Sequence, residues 1–172
     1  DLHVVAMDGW TRGMYYDETT LPWVMPSPNI PTLDTAIVYP GAVLIEGTKL
    51  SEGRGTTRPL EGFGAPDLEP GPLVAEMRSL APAWTAGCGL RTCWFEPTFH
   101  KHAGRPCAGL HIHAEDPLYD HAAFRPWRLQ ALAFKALRRL RPDYDLWRDF
   151  HYEYERDRLA IDLINGSALL RE

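Results

Sequence analysis

Apolar residues recur at helical spacing in the longest periodic segment of the chain, residues 124–140. One face of that segment carries Leu129, Leu132, Ala133, Ala136, Leu137 and Leu140. The same spacing predicts a shorter amphipathic helix over residues 72–80. Thr32 is a good N-cap residue and predicts another helix over residues 32–38. Residues 157–164 predict a last helix that ends at Gly166.

Strand patterns are shorter and fewer than the helical ones. Residues 90–99 and 107–114 are apolar enough for strands, and the seven residues between them suit an antiparallel pair. Residues 2–7 (LHVVAM) also predict a strand. Trp84 and Trp94 are expected to lie in the core. Strands mixed with helices predict the α/β class, with a small mixed β-sheet and flanking helices.

Composition excludes some classes of protein. The chain has 172 residues, 45% of them apolar, and a net charge of -5, which argues against general nucleic-acid binding. No run of 18 apolar residues is present, so no membrane span is predicted. Three cysteines are too few for a disulfide scaffold; they are expected to be small buried groups, or to form one disulfide outside the cytoplasm. Because the first residue is Asp1 rather than Met and a predicted strand begins at the second residue, we expect a processed chain or a fragment.

The densest cluster of functional residue types is the loop at residues 53–58, GRGTTR. It belongs to a predicted loop over residues 47–70, long enough to suggest a function. Arg54 and Arg58 are suited to a carboxylate or phosphate, and the threonine hydroxyls to a sugar or an amide. Glycines let the backbone N–H groups approach an anion closely. The loop therefore predicts a site for an anionic or polyhydroxylated ligand.

Carboxylates close to this loop offer a second interpretation of its arginines. Glu46 and Glu52 are close in sequence to both arginines, so internal ion pairs are an alternative to ligand binding. Paired carboxylates could also serve glycoside hydrolysis. The candidates are Asp34, Glu46, Glu52, Glu61, Glu96, Glu115 and Asp116. Their spacing does not single out a pair, and a cysteine–histidine nucleophile also stays open.

Histidines form the other candidate cluster. Residues two apart in a strand share a face, so His111 and His113 could bind one metal ion with Glu115 or Asp116. The alternative is a hydrogen-bonding role in which Lys101 or a histidine faces the glycine-rich loop. Both interpretations are compatible with the spacing.

Four blocks of the sequence, taken in order, closely resemble the NamZ-type exo-β-N-acetylmuramidase family. They are PSPNIPTLDTAIVYPGAVLIEGTKLSEGRGTTRP, GAP at 64–66, FEPTFHKHAGRPCAGLHIHAED and RLAIDLINGSALLR. The resemblance covers nearly the whole chain, from Val4 to Arg171. Its most specific parts are EGT followed by GRGTTRP, and the PTF-x-K-H-x-G-x-x-C-x-G block.

The resemblance implies a bacterial two-domain enzyme. A Rossmann-like N-terminal domain packs on a smaller α/β domain, with the active site in the cleft between them. Such an enzyme removes N-acetylmuramic acid from the non-reducing end of peptidoglycan fragments. Residues 1–44 would be the end of the first domain and residues 45–172 the second. The glutamate proposed as catalytic in the family lies upstream, so this chain, without its N-terminal domain, is expected to be inactive.

The resemblance also implies roles for individual residues. The expected substrate-binding residues are Arg54, Gly55, Thr56 and Thr57, with Lys101 behind them. Glu46 is a candidate assisting carboxylate. An arginine is suited to the lactyl carboxylate that distinguishes muramic acid from glucosamine. Neither a cofactor nor a metal is implied, a secreted or periplasmic setting is suggested, and a non-catalytic peptidoglycan- or saccharide-binding module is the alternative.

Overall fold

A computed structural model describes residues 1–115 and 117–172; Asp116 lies outside the described residues. The helices are α1 (Leu33–Ala42), α2 (Pro70–Leu80), α3 (Pro126–Leu140) and α4 (Ala160–Asn165), and the strands are β1 (Gly62–Ala65), β2 (Gly89–Phe95) and β3 (Cys107–His113). A short 3-10 helix, Val43–Gly47, directly continues α1. The predicted helices and the strand pair are thus confirmed, with shifts of a few residues at their ends.

The sheet of the described residues has three strands in the order β1-β3-β2, and both pairings are antiparallel. The α/β class with a small sheet and flanking helices is confirmed. At the centre of the β1–β3 pair, Gly64 lies opposite Gly109. A Cβ atom on Gly64 would lie 2.5 Å from the Ala108 carbonyl oxygen, so this pairing has no room for a side chain.

The core lies between the sheet and the helices. Helix α3 packs against α1 and α2, and its apolar face is buried. Phe63 of β1 and Phe134 of α3 are among the largest fully buried side chains. The Oγ1 atom of Thr32 accepts the Thr35 N–H at 3.2 Å, which confirms the predicted N-cap of α1. At the other end of the chain, Gly166 adopts a φ of 75° and ends α4 as expected.

Two expectations about apolar residues were wrong. The strand predicted over residues 2–7 is not formed, and Leu2 and Val5 are 88% and 93% exposed. A strand needs hydrogen-bonding partners, and the described residues place none beside this segment. Trp84 and Trp94 are exposed rather than buried. Trp84 ends a short 3-10 helix, Pro82–Trp84, and Trp94, which is 73% exposed, belongs to the edge strand β2.

The division at residue 44 stays a prediction. In the structure, α1 on one side of that boundary packs against α3 on the other. Within the part of the chain that the structure describes, none of the helices combines the length and the apolar character needed to cross a membrane.

Candidate functional site

The glycine-rich loop is bound to the second motif of the sequence, the PTF segment after β2. The carbonyl oxygen of Gly55 accepts the backbone N–H of Thr98 at 3.0 Å and the Thr98 hydroxyl at 2.9 Å. Gly55 has a φ of 82°, and a Cβ atom there would lie 2.7 Å from the Phe99 nitrogen. Only glycine fits both the backbone conformation and the close approach. The two most specific sequence blocks therefore form one joint surface.

Thr56 and Thr57 line a cavity of about 400 Å³ on one side of this loop. The Thr56 hydroxyl donates to the Gly53 carbonyl oxygen at 2.6 Å, which fixes the turn, while Thr57 is exposed. Arg58, Arg91 and Trp94 lie on other parts of the same wall. We call this space the threonine cavity. Its wall combines hydroxyl groups, cations and an exposed indole ring.

Arg54 lies on the other side of the loop. Its Nη2 donates to Glu46 Oε1 at 2.6 Å, and its Nε donates to Glu52 Oε1 at 2.9 Å. Together with Arg148 and Tyr152, these residues line a second cavity of about 390 Å³. The internal ion pairing considered for the sequence is therefore present. Direct binding of a ligand carboxylate by Arg54 stays a prediction.

Lys101 lies beneath the second cavity, with its side chain only 9% exposed. Its ammonium donates to the carbonyl oxygens of Ile45 and Leu50 and to Glu52 Oε2, at 2.9, 3.0 and 3.0 Å. Burial lowers the pKa of Lys101, and the Glu52 carboxylate opposes that shift. Burial works against the charge of Glu52 as well, but the Lys101 charge keeps its pKa below the ordinary value. The expected hydrogen-bonding role of Lys101 next to the loop is confirmed, whereas substrate contact by Lys101 stays a prediction.

Glu46, the carboxylate expected to assist catalysis, lines the second cavity. Its side chain is 16% exposed, with Oε1 bonded to Arg54 and Oε2 accepting the Tyr152 hydroxyl at 3.3 Å. Burial and the nearby Glu46 charge raise the pKa of Tyr152 to about 12, so this hydroxyl stays a donor. Glu46 is thus held in a defined orientation at the cavity wall.

Glu61, one of several carboxylates considered, lies buried behind the threonine cavity. Its Oε1 accepts the hydroxyls of Thr32 and Thr35, and its Oε2 accepts from Arg58 and His111. Burial opposes its ionisation, but the hydrogen bonds from His111 and Thr35 and the Arg58 charge lower the pKa of Glu61 to about 2. Sequence spacing carried no signal for this site, because its four donors come from three different segments: the start of α1, the glycine-rich loop and β3.

The two strand histidines share a face as expected, and their rings stack with centroids 4.1 Å apart. Arg91 of β2 lies opposite His111, and its guanidinium donates to both rings at 3.1 Å. A cation in that position works against a metal ion at the same nitrogens. Among residues 1–115 and 117–172, no group of three histidine, cysteine or acidic side chains is arranged to hold a metal; Asp116 lies outside them.

The cysteines are free thiols, so the disulfide considered for the sequence is not formed. Burial raises the pKa of Cys88 to about 11 and also raises the pKa values of Cys93 and Cys107. Raised pKa values disfavour the thiolate, the form that acts as a nucleophile. A cysteine nucleophile is therefore disfavoured.

Comparison with known proteins shows the class of this protein. The family description "Exo-beta-N-acetylmuramidase NamZ, C-terminal" matches residues 37–172, and the corresponding N-terminal description matches residues 1–34. The chain belongs to the NamZ family, a family of glycoside hydrolases. It is similar to the peptidoglycan β-N-acetylmuramidase NamZ of Bacillus subtilis strain 168, with 47% identity over 116 residues. That match covers 67% of this chain and 27% of the relative, so the chain spans about a quarter of the relative's length.

Solved structures agree with this assignment. A DUF1343-family protein of Bacteroides fragilis NCTC 9343 matches with a TM-score of 0.78 and 28% identity, over 98% of this chain and 42% of that protein. A second DUF1343-family protein of the same organism matches with a TM-score of 0.54 and 22% identity, over 86% of this chain and 34% of its own. The second likeness supports the fold alone.

Proposed function

We propose that the protein carrying this chain is an exo-acting glycoside hydrolase. It releases N-acetylmuramic acid from the non-reducing end of peptidoglycan fragments, and this chain forms one wall of the cleft. The observation that carries the proposal is the threonine cavity in a chain of the NamZ family. Its volume is within the range of ligand pockets, about 300–1,000 Å³. Its hydroxyls, cations and exposed indole ring are suited to a carboxylated sugar.

Within that cleft, some residues of the loop bind the substrate and others support the site. Thr56 and Thr57 bind sugar hydroxyls or the acetamido group, and Gly55 keeps the loop on the PTF segment. Arg54 and Lys101 act on the substrate through the carboxylates that they orient, in addition to any direct contact with it. These assignments are supported by the placement of the loop between two cavities.

Glu46 is the assisting carboxylate in this proposal. Hydrolysis of a glycosidic bond needs one group to protonate the leaving oxygen and a carboxylate on the other side of the bond. Glu46 supplies one of these groups at most. The main catalytic glutamate is expected upstream, in the N-terminal domain that would complete the cleft, so the 172-residue chain alone should not turn over substrate.

The test combines the intact mass of the protein with turnover. The nitrophenyl β-glycosides of N-acetylmuramic acid and of N-acetylglucosamine are offered to the same sample, followed by fragments that end in either sugar. Release of muramic acid only from muramic-acid-terminated fragments would support exo-acting hydrolysis. Equal use of both sugars, or cleavage at internal bonds, would contradict it. Turnover by a sample of 19.5 kDa would place catalysis within these residues.

A binding module without catalysis is the second candidate, and one observation favours it. Glu46, Glu52 and Glu61 all accept bonds from at least two donors within the protein, which suits support better than proton transfer. Binding of muramic-acid fragments by the intact protein without any turnover would favour this candidate over the hydrolase.

A further inference from the structure

Arg91 differs from the other arginines beside the glycine-rich loop in the partners that it has. Arg54 donates to two carboxylates and Arg58 donates to Glu61. The side-chain partners of Arg91, within the part of the chain that the structure describes, are the rings of His111 and His113. Among residues 1–115 and 117–172, therefore, no directly bonded carboxylate cancels its positive charge.

The proton positions of the two rings follow from the types of their partners. Arginine has only donors, so His111 Nδ1 and His113 Nε2 act as acceptors. The opposite nitrogens carry the protons and donate to carboxylates, His111 Nε2 to Glu61 at 3.3 Å and His113 Nδ1 to Glu115 at 2.5 Å. Both rings are neutral in this arrangement. A chain of bonds thus fixes the guanidinium without adding a positive charge beside it.

The bonds to the histidines use only one side of the guanidinium. Nε and Nη2 donate to the rings, which leaves both protons of Nη1 and the second proton of Nη2. Those protons form the outer fork of the guanidinium, the geometry that binds a carboxylate through two parallel hydrogen bonds. Arg91 is exposed and lines the threonine cavity, so this fork is accessible to a ligand there.

We propose that Arg91 is the specificity residue of the threonine cavity and binds the carboxylate of the sugar acid. The inference rests on the proposed function for the identity of that sugar, N-acetylmuramic acid. The stacked rings of His111 and His113 hold the guanidinium in place before the ligand arrives, so little side-chain freedom is lost on binding. Thr56 and Thr57 on the loop side of the cavity receive the neutral part of the sugar. A sugar without the carboxylate leaves the Arg91 fork without a partner.

The test measures binding separately from turnover. Titration calorimetry on the intact protein compares N-acetylmuramic acid with its lactyl amide, which removes the charge and keeps the shape. We expect the wild-type protein to prefer the acid by about 10- to 100-fold, the range that charge-assisted hydrogen bonds provide. R91Q should abolish that preference and leave amide binding within about twofold. R91K, which keeps the charge and loses the fork, should retain part of it.

R78Q is the matched control, because Arg78 is an exposed arginine of α2 that lines neither cavity beside the loop. It should leave the acid preference unchanged. The inference is overturned if the wild type binds acid and amide equally, or if R91Q and R91K both keep the full preference. Turnover of the nitrophenyl glycoside, measured on the same samples, tests the proposed function on its own. A protein that hydrolyses the glycoside but binds the amide as well as the acid keeps the function and loses this inference.

Discussion

Replacement of Lys101 by methionine should lower the free energy of unfolding by about 3 kcal/mol. Methionine fills a similar volume but leaves Glu52, which is fully buried, without its ammonium partner. Removal of one member of a buried ion pair costs about 3–5 kcal/mol. We expect the lower end of that range because Arg54 still donates to the same carboxylate. The carbonyl oxygens of Ile45 and Leu50 also lose their donor.

Urea denaturation of the intact protein, followed by tryptophan fluorescence, measures this loss. The matched control is Lys49→Met. Lys49 pairs with Asp145, but its side chain is 34% exposed and that of Asp145 is 78% exposed, so the loss there should stay below about 1 kcal/mol. Equal losses in the two variants would refute the argument. If the Lys101 variant kept its stability and lost binding of muramic acid, Lys101 would be a ligand-binding residue instead.

Three further changes test the same surface. Glu61→Gln should flatten the pH dependence of stability: the folded-state pKa of Glu61 is about 2, against an ordinary 4.5, so its contribution of about 3 kcal/mol is complete above pH 4.5 and is lost as the pH falls towards 2. Gly55→Ala should destabilise the protein by more than Gly104→Ala, because Gly104 also has a positive φ but has open space around it, whereas the new methyl group at Gly55 meets Phe99. Glu46→Gln should lower kcat on the muramic-acid glycoside by about 100-fold or more while folding is retained.

For each of these three changes, one result would contradict the prediction. Parallel stability curves for wild type and the Glu61 variant between pH 4.5 and 2 would show that this carboxylate does not govern acid unfolding. Equal thermal stability of the two glycine variants would remove the close approach as a constraint. An unchanged kcat in the Glu46 variant would place both catalytic groups elsewhere.

The fold could be predicted where local pattern and tertiary packing agree. The apolar face of α3 and the N-cap Thr32 act within a few residues of sequence, and both elements formed as predicted. Strand β1 could not be predicted, because GFGA is half glycine and becomes a strand only through its pairing with β3. Residues 2–7 show the opposite case, since strand propensity without a partner yields no strand.

The sequence predicted the loop of the candidate site but not the partners of its charged residues. Glycines and threonines at residues 53–57 predict a ligand loop from composition alone, and the structure places Gly53, Thr56 and Thr57 beside a cavity. Two of the contacts that hold the site's charges, Lys101 with Glu52 and Glu61 with His111, join residues 49 and 50 positions apart, which sequence spacing does not report. The place of Arg91 in the cavity wall could not be predicted, because a single arginine in a strand is an ordinary exposed residue in the sequence. Its bonds to two rings become visible only once β2 and β3 are in register.

The glycine-rich loop forms a common wall between the threonine cavity and the second cavity. Gly53, Thr56 and Thr57 face the threonine cavity, while Arg54, between them in sequence, faces the cavity of Glu46. The Gly55–Thr98 hydrogen bonds fix the backbone of this loop, so a backbone shift on the side of one cavity also moves the wall of the other. Substitutions in the two cavities should therefore have non-additive effects, because both act through the backbone of the same loop. An inhibitor that fills one cavity should therefore bind more tightly when an added group contacts the loop from the other cavity.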